Sequence, residues 1–263
     1  MGHKELILVL ESELYLVPFA VLRSGDDGGE YLSERCSILT VPSLQTLKQK
    51  SRVKSRSIPE NLNSALVVGG PRIPTSLAES WGWSESPASL QEAAMVSDML
   101  HAKALVSTSA TKEGVIAELQ TAECVHFAAN LSWKLGAVVL SPGEMLESQS
   151  PKRFYSSSSK DIENDDESND MSSPNMEIPP LSDFILSAAD VLTMKLNAKL
   201  IVLSSYHSIE PISGCGVANL ASSWLCAGAG AVLISLWPVP ETAAKILLRA
   251  FYSALLQGAR AAR

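Results

Sequence analysis

The sequence predicts an α/β fold, a mainly parallel sheet with helices on both faces. Two observations carry this expectation. Short runs that are apolar nearly throughout, at 65–68 (ALVV), 199–205 (KLIVLSS) and 231–237 (AVLISLW), read as strands covered on both faces. Between such runs lie longer segments with apolar residues three or four apart, so strand and helix alternate as a parallel sheet requires.

The elements follow in order. Residues 5–11 (ELILVLE) and 15–22 (YLVPFAVL) read as strands, the second placed near an edge by Pro18, which has no amide proton to donate. A further β-like run, 36–41, ends at Pro42. The strand at 65–68 is cut off by Gly69-Gly70-Pro71. Leu90, Ala93, Ala94, Val96 and Leu100 give 87–102 a helical period, and 103–107 returns to a strand. Thr111 suits an N-cap, with Glu113 in the first turn of a helix reaching 122. Residues 123–129 (ECVHFAA) and 137–141 (AVVLS) are strands. Ser182 reads as the cap of a helix running to 195. The strand at 199–205, a helix at 216–227, the strand at 231–237 and an apolar helix at 241–257 complete the alternation.

One tract differs in kind. Residues 144–180 contain four consecutive serines, Ser156 to Ser159, and then six acids between Asp161 and Asp170 with no base among them. Such a tract buries too little apolar area to offset its ordering entropy, so a disordered insertion is expected there. The final helix runs into Ala259-Arg260-Ala261-Ala262-Arg263 without a stop signal, and a chain incomplete at its C-terminus is the expectation.

Composition narrows the function classes. The net charge of -7, with the densest Lys and Arg cluster confined to 48–56, argues against a nucleic-acid partner. No apolar run approaches the roughly 18 residues of a spanning helix, and the N-terminal residues lack a signal-peptide cleavage pattern. The four cysteines, Cys36, Cys124, Cys215 and Cys226, have no paired spacing, which suits a reducing, cytoplasmic compartment. Cys124 and Cys226, in apolar segments, read as buried thiols. Metal-ligand spacings and cofactor motifs are not found, and Gly25-Asp26-Asp27-Gly28-Gly29 lacks the spacing of a phosphate loop. Trp81-Gly82-Trp83 reads as a lid packed on the domain, with an exposed sticky patch as the alternative. In the last helix Ile246, Leu247, Ala250, Phe251 and Leu255 read as core.

Chemistry in open α/β sheets collects beyond the carboxyl ends of adjacent strands. Two ends stand out, His126-Phe127-Ala128-Ala129-Asn130 and Leu203-Ser204-Ser205-Tyr206-His207. Here the chain resembles the CHAT domain, a caspase-like module often found downstream of tetratricopeptide repeats. The resemblance covers essentially the whole chain as one CHAT-like domain, 1–263. It is carried by Leu14-Tyr15-Leu16-Val17-Pro18-Phe19-Ala20-Val21-Leu22, Val41-Pro42-Ser43, Val67-Val68-Gly69-Gly70-Pro71, Val125-His126-Phe127-Ala128, and most specifically by Gly228 through Val239 with its Ser235-Leu236-Trp237-Pro238 core. Pro179-Pro180-Leu181 and Ala188 through Leu192 look most like a group of the family found in animals.

Active members of the family pair a Cys nucleophile with a His, the His ending an "HfAtH" pattern and the Cys an "LSAC" pattern. Carried onto this chain, those positions hold Asn130 and Tyr206. An amide has no titratable nitrogen to take a proton, and a phenol with a reference pKa of about 10 is a poor acyl nucleophile at neutral pH. The resemblance therefore implies a catalytically degenerate domain without cofactor, acting through protein partners. It also implies neighbouring repeats and a scaffold role in cell division or at the cytoskeleton. The alternative is a cysteine peptidase with a relocated pair, His207 with Cys215. His126, on the opposite strand face from Val125 and Phe127, reads as a satisfied core residue before it reads as a base.

Overall fold

The computed structural model describes residues 4–25, 28–52, 64–83, 85–143, 179–204, 213–235 and 239–258. Along the chain its elements are β1 (Lys4–Val9), α1 (Leu32–Arg35), β2 (Cys36–Val41), α2 (Leu44–Arg52), β3 (Ala65–Gly69), α3 (Thr75–Trp81), α4 (Pro87–Leu100), β4 (Lys103–Val106), α5 (Lys112–Leu119) and β5 (Cys124–Ala128). They continue with β6 (Leu131–Ser132), β7 (Ala137–Val139), α6 (Leu181–Phe184), β8 (Ile185–Ser187), α7 (Ala188–Leu192), β9 (Leu200–Ser204), α8 (Gly214–Ala227), β10 (Ala231–Ile234) and α9 (Glu241–Leu256).

Five of the strands form one parallel sheet in the order β10-β9-β5-β3-β4. The strands expected at 65–68, 103–107, 123–129 and 199–205 run parallel as β3, β4, β5 and β9, and β5 and β9 are immediate neighbours. Their side chains alternate between two cores, as the period of a strand dictates. Leu66, Val68, Val125, Phe127, Ile201 and Leu203 face one way and are covered by α5 and α8 through Val115, Leu119, Leu220 and Trp224. Ala65, Val67, Cys124, Leu200 and Val202 face the other way, under Ala93, Val96 and Leu100 of α4 and Leu248, Tyr252 and Leu255 of α9. Helices thus cover both faces.

Local signals explain the better-defined boundaries. The Thr111 hydroxyl accepts from the Gly114 amide and caps α5. Ser213 does the same for α8 through Gly216, and that helix ends on Gly228 in the left-handed region at φ 119°. Trp83 is buried, stacked on Trp81 at 5.0 Å and edge-on to Phe184 at 6.5 Å, so the tryptophan loop is packed on the domain.

Several expectations are corrected. Residues 15–22 form no strand; Ser12–Leu16 and Phe19–Val21 are short 3-10 turns, held by bonds such as Val17 N–H to Leu14 O and Val21 N–H to Pro18 O. The parallel partner of β1 is β2, in a separate two-stranded sheet. The segment 137–141 enters no parallel ladder: β7 lies antiparallel between β6 and β8 in a second small sheet. The helix expected over 182–195 is broken. Ile185–Ser187 is claimed by pairing with Ala137–Val139, and Ser187, not Ser182, is a true N-cap, accepting from the Asp190 amide at 3.2 Å. In α9 the inward residues are Ala244, Leu248, Tyr252 and Leu255, while Ile246 and Leu247 are 68% and 62% exposed and Ala250 is also outward. That helix is apolar on more than one side, so hydropathy alone could not say which side faces in. Cys226, expected inside, is exposed. The serine- and acid-rich stretch, 144–178, lies outside the described residues.

Candidate functional site: the ends of β5 and β9

The register of the central pair sets the site. Ala128 of β5 lies opposite Ser204 of β9, and the Ala129 amide donates to the Ser204 carbonyl at 3.2 Å. Asn130 therefore stands two residues beyond one strand end, half-buried, with its own carbonyl accepting from the Val139 amide at 2.9 Å. The neighbouring strand β9 ends at Ser204, and Tyr206 and His207 lie outside the described residues. The topology thus leads two adjacent parallel strands to the edge where α/β folds hold their reactive groups.

Of the residues weighed as substitutes, Cys215 and His126 are among the described residues. Cys215 is exposed in the first turn of α8. His126 has no solvent exposure at all and points away from the Phe127 side of the sheet, between Val67 and Val202 of the flanking strands. Its Nε2 lies 2.8 Å from Glu92 Oε1 on α4, and its Nδ1 lies 2.9 Å from the Tyr252 hydroxyl on α9. Both ring nitrogens are taken. Cys124, two residues earlier on the same face, is buried, and that burial pushes its thiol up to about 12, so it remains protonated at neutral pH.

Sequence reading missed Glu92 and Tyr252. Glu92 carried a signal: it falls on the same helical stripe as Ser89, Ala93, Val96 and Leu100, where a carboxylate is out of place unless something inside meets it. Among the described residues no group of three His, Cys, Asp or Glu side chains could hold a metal ion.

A half-open cleft of about 410 Å³ lies between the β6–β7 turn, α7 and α8. It is walled by Trp133 and Gly136 of the β6–β7 turn, Leu192 of α7, and Asn219, Ser222 and Cys226 of α8. A Cβ on Gly216 would come 2.6 Å from the Trp133 carbonyl oxygen, so the turn and the helix meet at backbone distance.

An open parallel sheet, helices on both faces and a site placed at two adjacent strand ends define a caspase-like α/β domain. The CHAT domain family model matches residues 1–263, and the chain belongs to that family. It is similar to tetratricopeptide repeat protein 28 of Homo sapiens, 43% identical over 267 aligned residues, and to the protein of that name from Mus musculus, 40% identical over 267. Each alignment takes in 98% of this chain but 11% of the relative, so the chain spans about a tenth of their length. No helix among the described residues is long and apolar enough to cross a membrane.

Proposed function

We propose that this is a catalytically degenerate CHAT domain that works as a protein-interaction and scaffold module. It would stand beside tetratricopeptide repeats in a longer polypeptide, in the cytoplasm, with cell division or cytoskeleton organisation as its setting. The observation that supports this reading is Asn130. By the family resemblance it stands where active members place their base, and it lies two residues beyond the end of β5. Without an imidazole at one position and a thiol at the other, no group there can be activated for acyl transfer. The kinship with proteins named for their repeats supports the repeat neighbourhood and a protein partner.

A covalent thiol probe separates this reading from a relocated peptidase. Cys215 is expected to label at the rate of an ordinary exposed cysteine, unchanged by His207→Ala, with no turnover of peptide substrates. Fast, pH-dependent labelling that His207→Ala abolishes, accompanied by hydrolysis, would overturn it.

A further inference from the structure

The buried Glu92–His126–Tyr252 group is independent of the dead site and of the functional reading above. It joins three elements that are distant in sequence: α4, the central strand β5, and α9. Glu92 and His126 have no exposure, nor has Tyr252. Glu92 Oε2 has no hydrogen-bond partner among the described residues. Buried polar groups persist where their donors are satisfied, and an orphaned donor is the rarest and most costly outcome.

Consider where the protons can lie. If the Tyr252 hydroxyl donates to Nδ1, the imidazole carries its proton on Nε2 and donates it to Glu92 Oε1; both donors are then used. If Nδ1 carries a proton, in the other neutral tautomer or in the imidazolium, the Tyr252 oxygen becomes the acceptor, and its own hydrogen has no acceptor among the described residues. Loss of that hydroxyl proton is not an escape. Burial, with the nearby Cys124 and Glu92, holds the phenol well above its ordinary range, so it stays a donor.

We propose that Glu92, His126 and Tyr252 form a proton-ordered clip, with His126 neutral and protonated on Nε2, that fixes α9 in a single position on the sheet. The outward side of α9 also carries Ile246 and Leu247, so apolar burial alone does not select which side faces the sheet. A buried network whose donors are all used in one arrangement only does select it. The hydroxyl of Tyr252 and the carboxylate of Glu92 bond opposite nitrogens of one ring, so each depends on the proton the other positions.

Imidazole-labelled ¹⁵N NMR of the full chain, with His126 assigned by its loss in His126→Gln, tests the ordering directly. One bare Nδ1 and one protonated Nε2 are expected; an imidazolium or an Nδ1–H tautomer overturns the clip. Amide exchange tests the consequence. Tyr252→Phe removes one oxygen and is expected to speed exchange in α9 by about tenfold relative to β5 and β9, while Glu92 still holds the proton on Nε2. Glu92→Gln, whose amide oxygen can still accept from Nε2–H, is expected to keep the tautomer, whereas Glu92→Leu is not. A Tyr252→Phe protein with unchanged α9 exchange defeats the proposal.

Discussion

Asp190 shows how a single side chain can serve two elements. It closes the capping box at the start of α7, where one oxygen accepts from the Ser187 amide at 2.9 Å and from the Ser187 hydroxyl. The same oxygen accepts from the Lys112 ammonium at 3.0 Å, which ties α7 to the start of α5. Burial pushes the carboxyl up, but the Ser187 bonds and Lys112 outweigh it and hold the group below the ordinary carboxylate value. The native state therefore takes up this proton less readily than the unfolded chain. The stabilisation is present above the unfolded value of about 3.9 and is lost as pH falls through the lower native value. Asp190→Asn is expected to lower the urea midpoint near neutrality and to flatten its fall below about pH 4; parallel profiles for the two proteins would count against this account. On the proposed reading, Tyr206→Cys alone is expected to give no peptide hydrolysis, since the new thiol lacks a base. Tyr206→Cys with Asn130→His is expected to stay inactive as well, and measurable turnover by the double variant would show that the surrounding site is intact.

Close backbone approach is the constraint at the scale of elements. The turn Ser12–Leu16 lies across the start of α8, and a Cβ on Gly214 would meet the Ser12 carbonyl oxygen at 2.0 Å and the Glu13 Cα at 2.9 Å. Neither is the tip of a flexible side chain. Gly214→Ala is thus expected to cost about 1–3 kcal/mol in urea denaturation through overpacking. Ser222→Ala, half-buried in the middle of the same helix, should stay within about 0.5 kcal/mol. Equal midpoints for the two variants would mean that the N-terminal turn shifts freely. The same contact explains why 15–22 folds as turns although its residues favour strands. A run that includes a proline and packs on a helix start has no ladder to join, so local 3-10 bonds satisfy its amides.

Across the whole molecule, the small antiparallel sheet determines what the serine- and acid-rich tract can affect. Val139 pairs with Ile185, and the Leu140 amide donates to the Phe184 carbonyl at 2.9 Å, so the chain leaves and rejoins the domain at one ladder. Joining those ends by a short polar linker costs little closure entropy. Deletion of 145–177 is expected to preserve cooperative thermal unfolding with the melting temperature nearly unchanged, as followed by circular dichroism. Loss of the cooperative transition would place the tract within the core.

The parallel sheet and its cover were legible because burial on both faces writes itself locally: the stretches 65–68 and 200–203 are apolar at every position, and the helices between them carry a 3.6-residue period. The cap at Thr111 and the alternation into a parallel sheet were determined by the sequence alone. Tertiary structure decided the rest. Ile185–Ser187 is a strand only because Ala137–Val139 lies beside it, a pairing that spans the long insertion and leaves no local trace. The inward side of α9 depends on α4 and the sheet beneath it, since its own residues are apolar around much of the helix. Glu92 and Tyr252 became partners of His126 only when α4 and α9 closed over β5, because a hydrogen bond reaching 34 residues one way and 126 the other has no period to betray it.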